Sequence, residues 1–267
     1  MYKFYIVVME QITDIKERNK FFNDNEFDTW ASRFVWRGLY GTEFYTSISI
    51  FKFFANNKGL LDMFKNIIDV DSLFKVTKKL AKKYVDWVKG LIPIDSDEKI
   101  NDIHNFFIGS IGEFFFTYLL DDVKCLLSKS KTESGKYSEN HFDYVAPRLP
   151  KEKDFGVDLT CIVNDKPCVV QVKFWNPYSP KILTNEIAQG CFADGVLNGF
   201  ITPNDNVVIC WLGDDRKISQ HLRENKILYD KIIFIDNETL TLSVKNKKLS
   251  FWEKTFEKFT NFVENFS

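Results

Sequence analysis

One segment of this chain sets a carboxylate, an amide and an ammonium at strand spacing: Asp154-Phe-Gly-Val-Asp158-Leu-Thr-Cys-Ile-Val-Asn-Asp-Lys-Pro-Cys-Val-Val-Gln171-Val-Lys173-Phe-Trp. Two β-rich runs, Val157 to Val163 and Cys168 to Trp175, flank Asn164-Asp165, a dipeptide suited to a tight hairpin turn. Side chains on a strand alternate between faces. Gln171 and Lys173 therefore share one face, Val170, Val172 and Phe174 take the other, and Asp158 goes with Thr160. A turn on Asn164-Asp165 pairs Val163 with Lys166 and sets Asp158 opposite Gln171, with Cβ atoms about 5 Å apart. A turn centred on Asp165-Lys166 pairs Asp158 with Lys173 instead and keeps the same faces together. Either register converges the three groups on one patch.

That trio suits a hard divalent cation, which takes oxygen ligands in octahedral geometry. Asp158 offers a carboxylate and Gln171 a carbonyl oxygen. Lys173 can orient a water and offset charge developing on a phosphate. Strands hold such groups rigidly, as metal-assisted phosphodiester cleavage requires.

The elements that must carry these residues are legible in outline. Apolar residues recur at helical spacing through residues 11–90, most clearly over about 72–89. There Leu73, Val76, Leu80, Tyr84, Trp87 and Val88 form a stripe. Asp71 or Ser72 can cap the start and Gly90 stops it. Pro93 and the acidic run Asp95, Asp97 and Glu98 mark a joint. A second long helix is predicted over about 100–127, and a polar surface excursion over 128–153 with a short strand near Tyr144. After the hairpin come a helix at about 182–197, a buried strand at Val207 to Leu212, a helix at about 216–225 and a strand at Lys231 to Asp236. An amphipathic helix is predicted at about 250–265. From residue 100 the order is thus α, β, β, α, β, α, β, α, which predicts a partly parallel sheet covered on both sides.

The matching residues, Asp158, then Gln171-Val172-Lys173, with Gly156 before the aspartate, resemble the PD-(D/E)XK nuclease superfamily. The likeness is nearest to its Mrr-type branch and to type II restriction enzymes in which Gln replaces the second acid. Val157 stands where that family usually has Pro. The resemblance covers about residues 100–240. It implies a restriction-endonuclease-like mixed β-sheet flanked by helices over 100–267, after a mainly helical region at 1–99 for DNA recognition or a partner surface. It further implies a helix before the hairpin bearing an inward Glu. Glu113, the one acid in the apolar stretch 103–120, fits that place. The activity implied is a Mg²⁺-dependent endodeoxyribonuclease, with Mn²⁺ able to substitute, serving restriction or antiviral defence. Glu113, Asp158 and Gln171 would hold metal and Lys173 would assist the water. Glu186 and Gln189, three apart on the helix after Lys173, would serve the substrate phosphate. DNA is the implied partner, with a homodimer or an activating protein compatible with cutting two strands.

Other features are weighed beside these. Arg148, Lys151 and Lys153 could flank the cleft, and Trp175 and Tyr178 could stack on bases. The lysines at 75, 78, 79, 82 and 83 could follow a phosphate backbone or form the solvated side of their helix. A second acid-x-Lys string, Asp215 with Glu224-Asn225-Lys226, falls in a helix-like segment where i and i+2 do not meet. Net charge is −1, so no global positive field attracts nucleic acid. Five scattered cysteines in apolar runs predict reduced, core-filling thiols in the cytoplasm. There is no CxxC pair, and His104, His141 and His221 lack metal-ligand spacing from any cysteine, which argues against structural zinc. No apolar run reaches the roughly 18 residues of a membrane span. Neither a Gly-x-Ser-x-Gly elbow nor a phosphate-binding glycine loop is present, which disfavours other hydrolase or nucleotide-binding chemistries. The remaining alternative is a nuclease-fold module that binds nucleic acid or a protein without cutting.

Overall fold

The computed structural model describes residues 14–17, 47–64, 67, 69–94, 96–147 and 156–246. Lys151, Lys153 and Arg148, and the helix expected at 250–265, lie outside the described residues. The helical spacing of the first hundred residues becomes α1 (Ser47–Asn56), a 3₁₀ turn (Lys58–Phe64) and α2 (Val70–Lys89). Leu73, Leu80, Tyr84 and Val88 are fully buried along α2, while the lysines between them are exposed. Asp69 caps α2, rather than Asp71 or Ser72: its extended backbone lets the carboxylate accept from Ser72 N at 2.6 Å. Gly90 ends the helix, its N–H donating to the carbonyls of Asp86 and Trp87.

Helix α3 (Asp97–Val123) starts at the Ser96 cap and stops four residues earlier than its spacing predicts. Lys124 takes a left-handed backbone with φ 54°, and the chain turns into β1 (Cys125–Lys129). The expected surface excursion is instead largely β2 (Tyr137–Pro147), antiparallel to β1. Most of its polar residues are exposed, Asn140 being buried against Ser128, while Phe142, Val145 and Ala146 are buried. The sheet therefore opens one strand pair earlier than the sequence indicates. A register shift between Asp143 and Ala146, with Tyr144 at φ 53°, bulges β2 where it meets β3.

The remaining elements are β3 (Leu159–Val163), β4 (Lys166–Lys173), α4 (Asn185–Leu197), β5 (Asn206–Trp211), a 3₁₀ turn (Asp215–Lys217), the short helices α5 (Gln220–Glu224) and α6 (Lys226–Tyr229), β6 (Ile232–Ile235) and α7 (Asn237–Asn246). The six strands lie in sequence order. The first three pairings are antiparallel, and β4–β5 and β5–β6 are parallel. The chain is thus a mixed α/β protein with one mixed sheet flanked by helices.

Alternation divides the sheet into two apolar faces. Val170, Val172, Phe174, Val208 and Cys210 pack in one cluster with Phe53, Tyr84, Phe107 and Phe115 of the helical layer. Val169, Val207, Ile209 and Trp211 pack on the other face with Ala188, Cys191 and Leu222. The first cluster runs unbroken from Ile50 to Leu240, so residues on both sides of position 99 share one core.

The outer strands are tied across the fold by one lysine. Lys129 of β1 lies 2.7 Å from Glu238, 3.1 Å from Asp215 and 3.1 Å from Asp236, the residue that follows β6. Burial alone would lower the Lys129 pKa, but the three carboxylates raise it. Asp236 is almost wholly buried and also caps α7, accepting from Thr239 N at 2.9 Å. Glu238 is held below the usual carboxylate range, first by Lys129 and then by Tyr137. A lowered folded pKa gives stability above the unfolded value, and that stability is lost as pH falls through the folded one. Lys129→Met should cost about 3 kcal/mol at neutral pH, because it strands the buried Asp236 charge. In urea unfolding followed across pH 3 to 7, about the range that the Asp and Glu pKa values span, the variant's stability should fall less on the acid side than the parent's.

Candidate functional site

The candidate site rests on the β3–β4 hairpin. Asn164 and Asp165 form its turn with φ 50° and 66°, the left-handed pair that two-residue hairpins favour. Asn and Asp tolerate that region better than most side chains. The turn pairs Val163 with Lys166 and Leu159 with Val170. Of the two registers the sequence allows, the protein adopts the one that sets Asp158 opposite Gln171.

Asp158 lies one residue before β3, its N–H donating to Val170 O at 2.8 Å. Its Oδ2 accepts two N–H groups, the side-chain amide of Gln171 and the backbone of Val172 at 2.7 Å. Asp158 is 7% exposed and Gln171 3% exposed, so the pair is closed off from bulk water. A buried carboxylate costs several kcal/mol unless donors surround it, and these two bonds supply them. Its charge reaches across the sheet: burial first, then Asp158, pushes the Cys210 thiol well above its ordinary pKa.

Lys173 ends β4 two residues beyond Gln171, on the same face and half-buried. Its ammonium makes no hydrogen bond or ion pair with any described residue. The patch is thus sealed at Gln171 and opens at Lys173. Among the described residues, two buried polar atoms on that face have no hydrogen-bond partner: Thr160 Oγ1, two residues from Asp158, and Nε1 of Trp211, the β5 partner of Lys173.

Two features of the approach to Asp158 hold it in place. Gly156 has φ 132°, and a Cβ there would lie 3.0 Å from Gln171 Oε1 and 3.1 Å from Cys191 N of α4. Only glycine passes between strand and helix at that point. One residue later, Val157 N donates to Asp194 Oδ2 at 3.0 Å. Asp194 is fully buried on α4, and its Oδ1 accepts from Asn198 Nδ2 at 2.7 Å. The sequence reading passed over Asp194. Its signal is present, since it is the one charged residue in the run Ala188 to Val196.

The other nominated residues are less tightly gathered. Glu113 sits half-buried on α3, which packs on the opposite face of the sheet. Its neighbour Gly112 is the residue that meets the strand end, where an added Cβ would run into Phe174 Cβ. Glu186 and Gln189 are exposed on the first turns of α4. Glu186 is held below its ordinary pKa by its own backbone N–H and then by Thr184, as an acid at a helix start is. Trp175 lies under Lys181 at 5.3 Å. Tyr178, 74% exposed, donates its hydroxyl proton to Asp71 of α2. In the second acid-x-Lys string the groups turn to separate partners: Asp215 to Lys129, Glu224 to Gln220, and Lys226 to the Tyr229 ring. Cys161, Cys168, Cys191 and Cys210 are buried, as the apolar runs predict, while Cys125 is only half-buried.

No protein-family model matches the chain, and neither a curated protein nor a solved structure does. No helix among the described residues is long and apolar enough to cross a membrane.

Asp194→Ala leaves the Val157 N–H buried without its acceptor, which costs about 1–3 kcal/mol. The loss should appear in urea unfolding. Hydrogen exchange should show faster exchange at Val157 and Asp158 than at the centre of β5.

Proposed function

We propose that this chain is a Mg²⁺-dependent endodeoxyribonuclease with a restriction-endonuclease-like fold. One observation carries the reading: the hairpin presses Asp158 against Gln171 and sets Lys173 on the same face at the open end of β4. The sequential mixed sheet, with a long helix before the hairpin and α4 after it, supports the fold assignment.

The donor chemistry fits a hard cation. Asp158 supplies an anionic oxygen, and Gln171 an amide that turns its N–H toward a bare carboxylate and its carbonyl toward a cation. Thr160 adds a buried hydroxyl oxygen with no hydrogen-bond partner among the described residues. When bound, Mg²⁺ polarises a phosphoryl oxygen and lowers the pKa of a coordinated water. The protein's own groups do the rest. The two strands hold Asp158 and Gln171 in fixed register, and the backbone N–H of Val172 keeps the carboxylate aimed. Lys173, without a protein counter-ion among the described residues, offsets negative charge on the phosphate as the water attacks. Glu186 and Gln189, with Lys151 and Lys153, would steady the DNA strand. Restriction of foreign DNA or antiviral defence in the cytoplasm would be the setting, with a homodimer or activating partner where both strands are cut.

A second reading has its own support. Asp158 Oδ2 already accepts two N–H donors, so the carboxylate is stabilised without metal. That favours a module holding nucleic acid or a protein partner without cutting. Incubation with plasmid, linear and single-stranded DNA in Mg²⁺ or Mn²⁺ separates the two. Nuclease action predicts cleavage that falls by about 10²-fold or more in Lys173→Ala and is lost in Asp158→Ala. Intact DNA in every case, with calorimetry detecting no divalent-ion binding that depends on Asp158, supports the module.

A further inference from the structure

We propose a second metal site, for Zn²⁺, formed by Cys125, Glu139 and His141 on the outer face of the β1–β2 pair. Cys125 and His141 are direct cross-strand partners, and Glu139 follows two residues along β2 on the same face. Their ligand atoms, one from each side chain, all lie within 4.8 Å of one another. Spacing in the chain hides this set. Fifteen residues separate the cysteine from the histidine, and only the antiparallel register brings them together.

The backbone under the ligands is fixed. His141 N donates to Asn164 Oδ1 at 2.9 Å, and His141 O accepts from Asn164 N at 3.0 Å. Phe142 N donates to Lys124 O at 2.9 Å, which anchors the residue before Cys125. Phe142 and Leu126, the alternate residues, are buried in the core, so the three ligand side chains must face outward. Ligands on paired strands lose little freedom when they close on an ion.

The ligand types select the metal. A thiolate and an imidazole favour Zn²⁺ over Mg²⁺, and one carboxylate completes three of the four tetrahedral positions. The fourth position faces solvent, because Glu139 and His141 are exposed and Cys125 is half-buried. Binding replaces the Cys125 S–H bond with an S–Zn bond and releases the proton to water, so affinity rises with pH. This set lies beside the Asn164 turn. Asp158 lies at the other end of β3, about 20 Å away at strand rise. The two sites are therefore independent.

Co²⁺ and Zn²⁺ titration of the reduced full chain tests the proposal. The expected result is one equivalent of Co²⁺ giving a thiolate charge-transfer band and tetrahedral d–d bands, displaced by Zn²⁺. Cys125→Ser should abolish the charge-transfer band, and His141→Ala should weaken Zn²⁺ binding by about tenfold or more. Asp158→Ala should leave both signals unchanged, so failure of the nuclease reading does not affect this one. Circular dichroism confirms that each variant is folded. A missing thiolate band in the parent chain, or a band that survives Cys125→Ser, overturns the site.

Discussion

The register of one hairpin governs the placement of every group in the candidate site. Asn164 and Asp165 both take left-handed backbone, and this fixes which residue of β3 faces which residue of β4. A slip of one residue would turn Gln171 and Lys173 into the helical core and push Val170 and Val172 out of it. The two apolar faces hold the register from either side, since each demands its own alternate residues. Local turn chemistry and global burial thus agree on one pairing, and such agreement makes a sequence specify a single structure.

Within that frame the Asp158 carboxylate is the costly element. It is buried and charged, and it sits where the chain enters the sheet. Three features of the surroundings offset the cost: the amide of Gln171, the backbone of Val172, and α4, which grips the entering chain through Asp194 and leaves room for it at Gly156. None of these is itself the reacting group in the proposed chemistry. They keep the carboxylate from relaxing toward water, which a structural aspartate at a strand end would be free to do.

Much of this was readable from residue types alone. The β-rich runs at 157–163 and 168–175, with Asn-Asp between, pointed to both the hairpin and the shared face of Asp158, Gln171 and Lys173. Helix periodicity gave α2, α3 and α4 to within a few residues. What escaped notice depended on partners distant in the chain. Polar residues from 128 to 147 mask β1 and β2, because the outward side of an edge pair can be polar and the inward residues Leu126, Phe142 and Val145 are few. Helix α3 stops at Lys124 because its backbone turns left-handed there, and nothing in the apolar spacing marks that point. Asp194 gains its role only when α4 lies on the sheet, and Cys125 meets His141 only across two strands.

The covered outer edge has a consequence for assembly. Strand β1 lies at the margin of the sheet, yet Leu127 N donates to Ser243 of α7 at 3.0 Å, and Lys129 fastens the same strand to Asp236 and Glu238. An incoming strand would find this border already occupied, so a second copy cannot lengthen the sheet there without prising α7 away. Any association between copies of this chain at that end must therefore be made by side-chain surfaces, not by shared backbone ladders. The same fastening protects a polar, otherwise inviting ribbon from the edge-to-edge stacking that leads to aggregates.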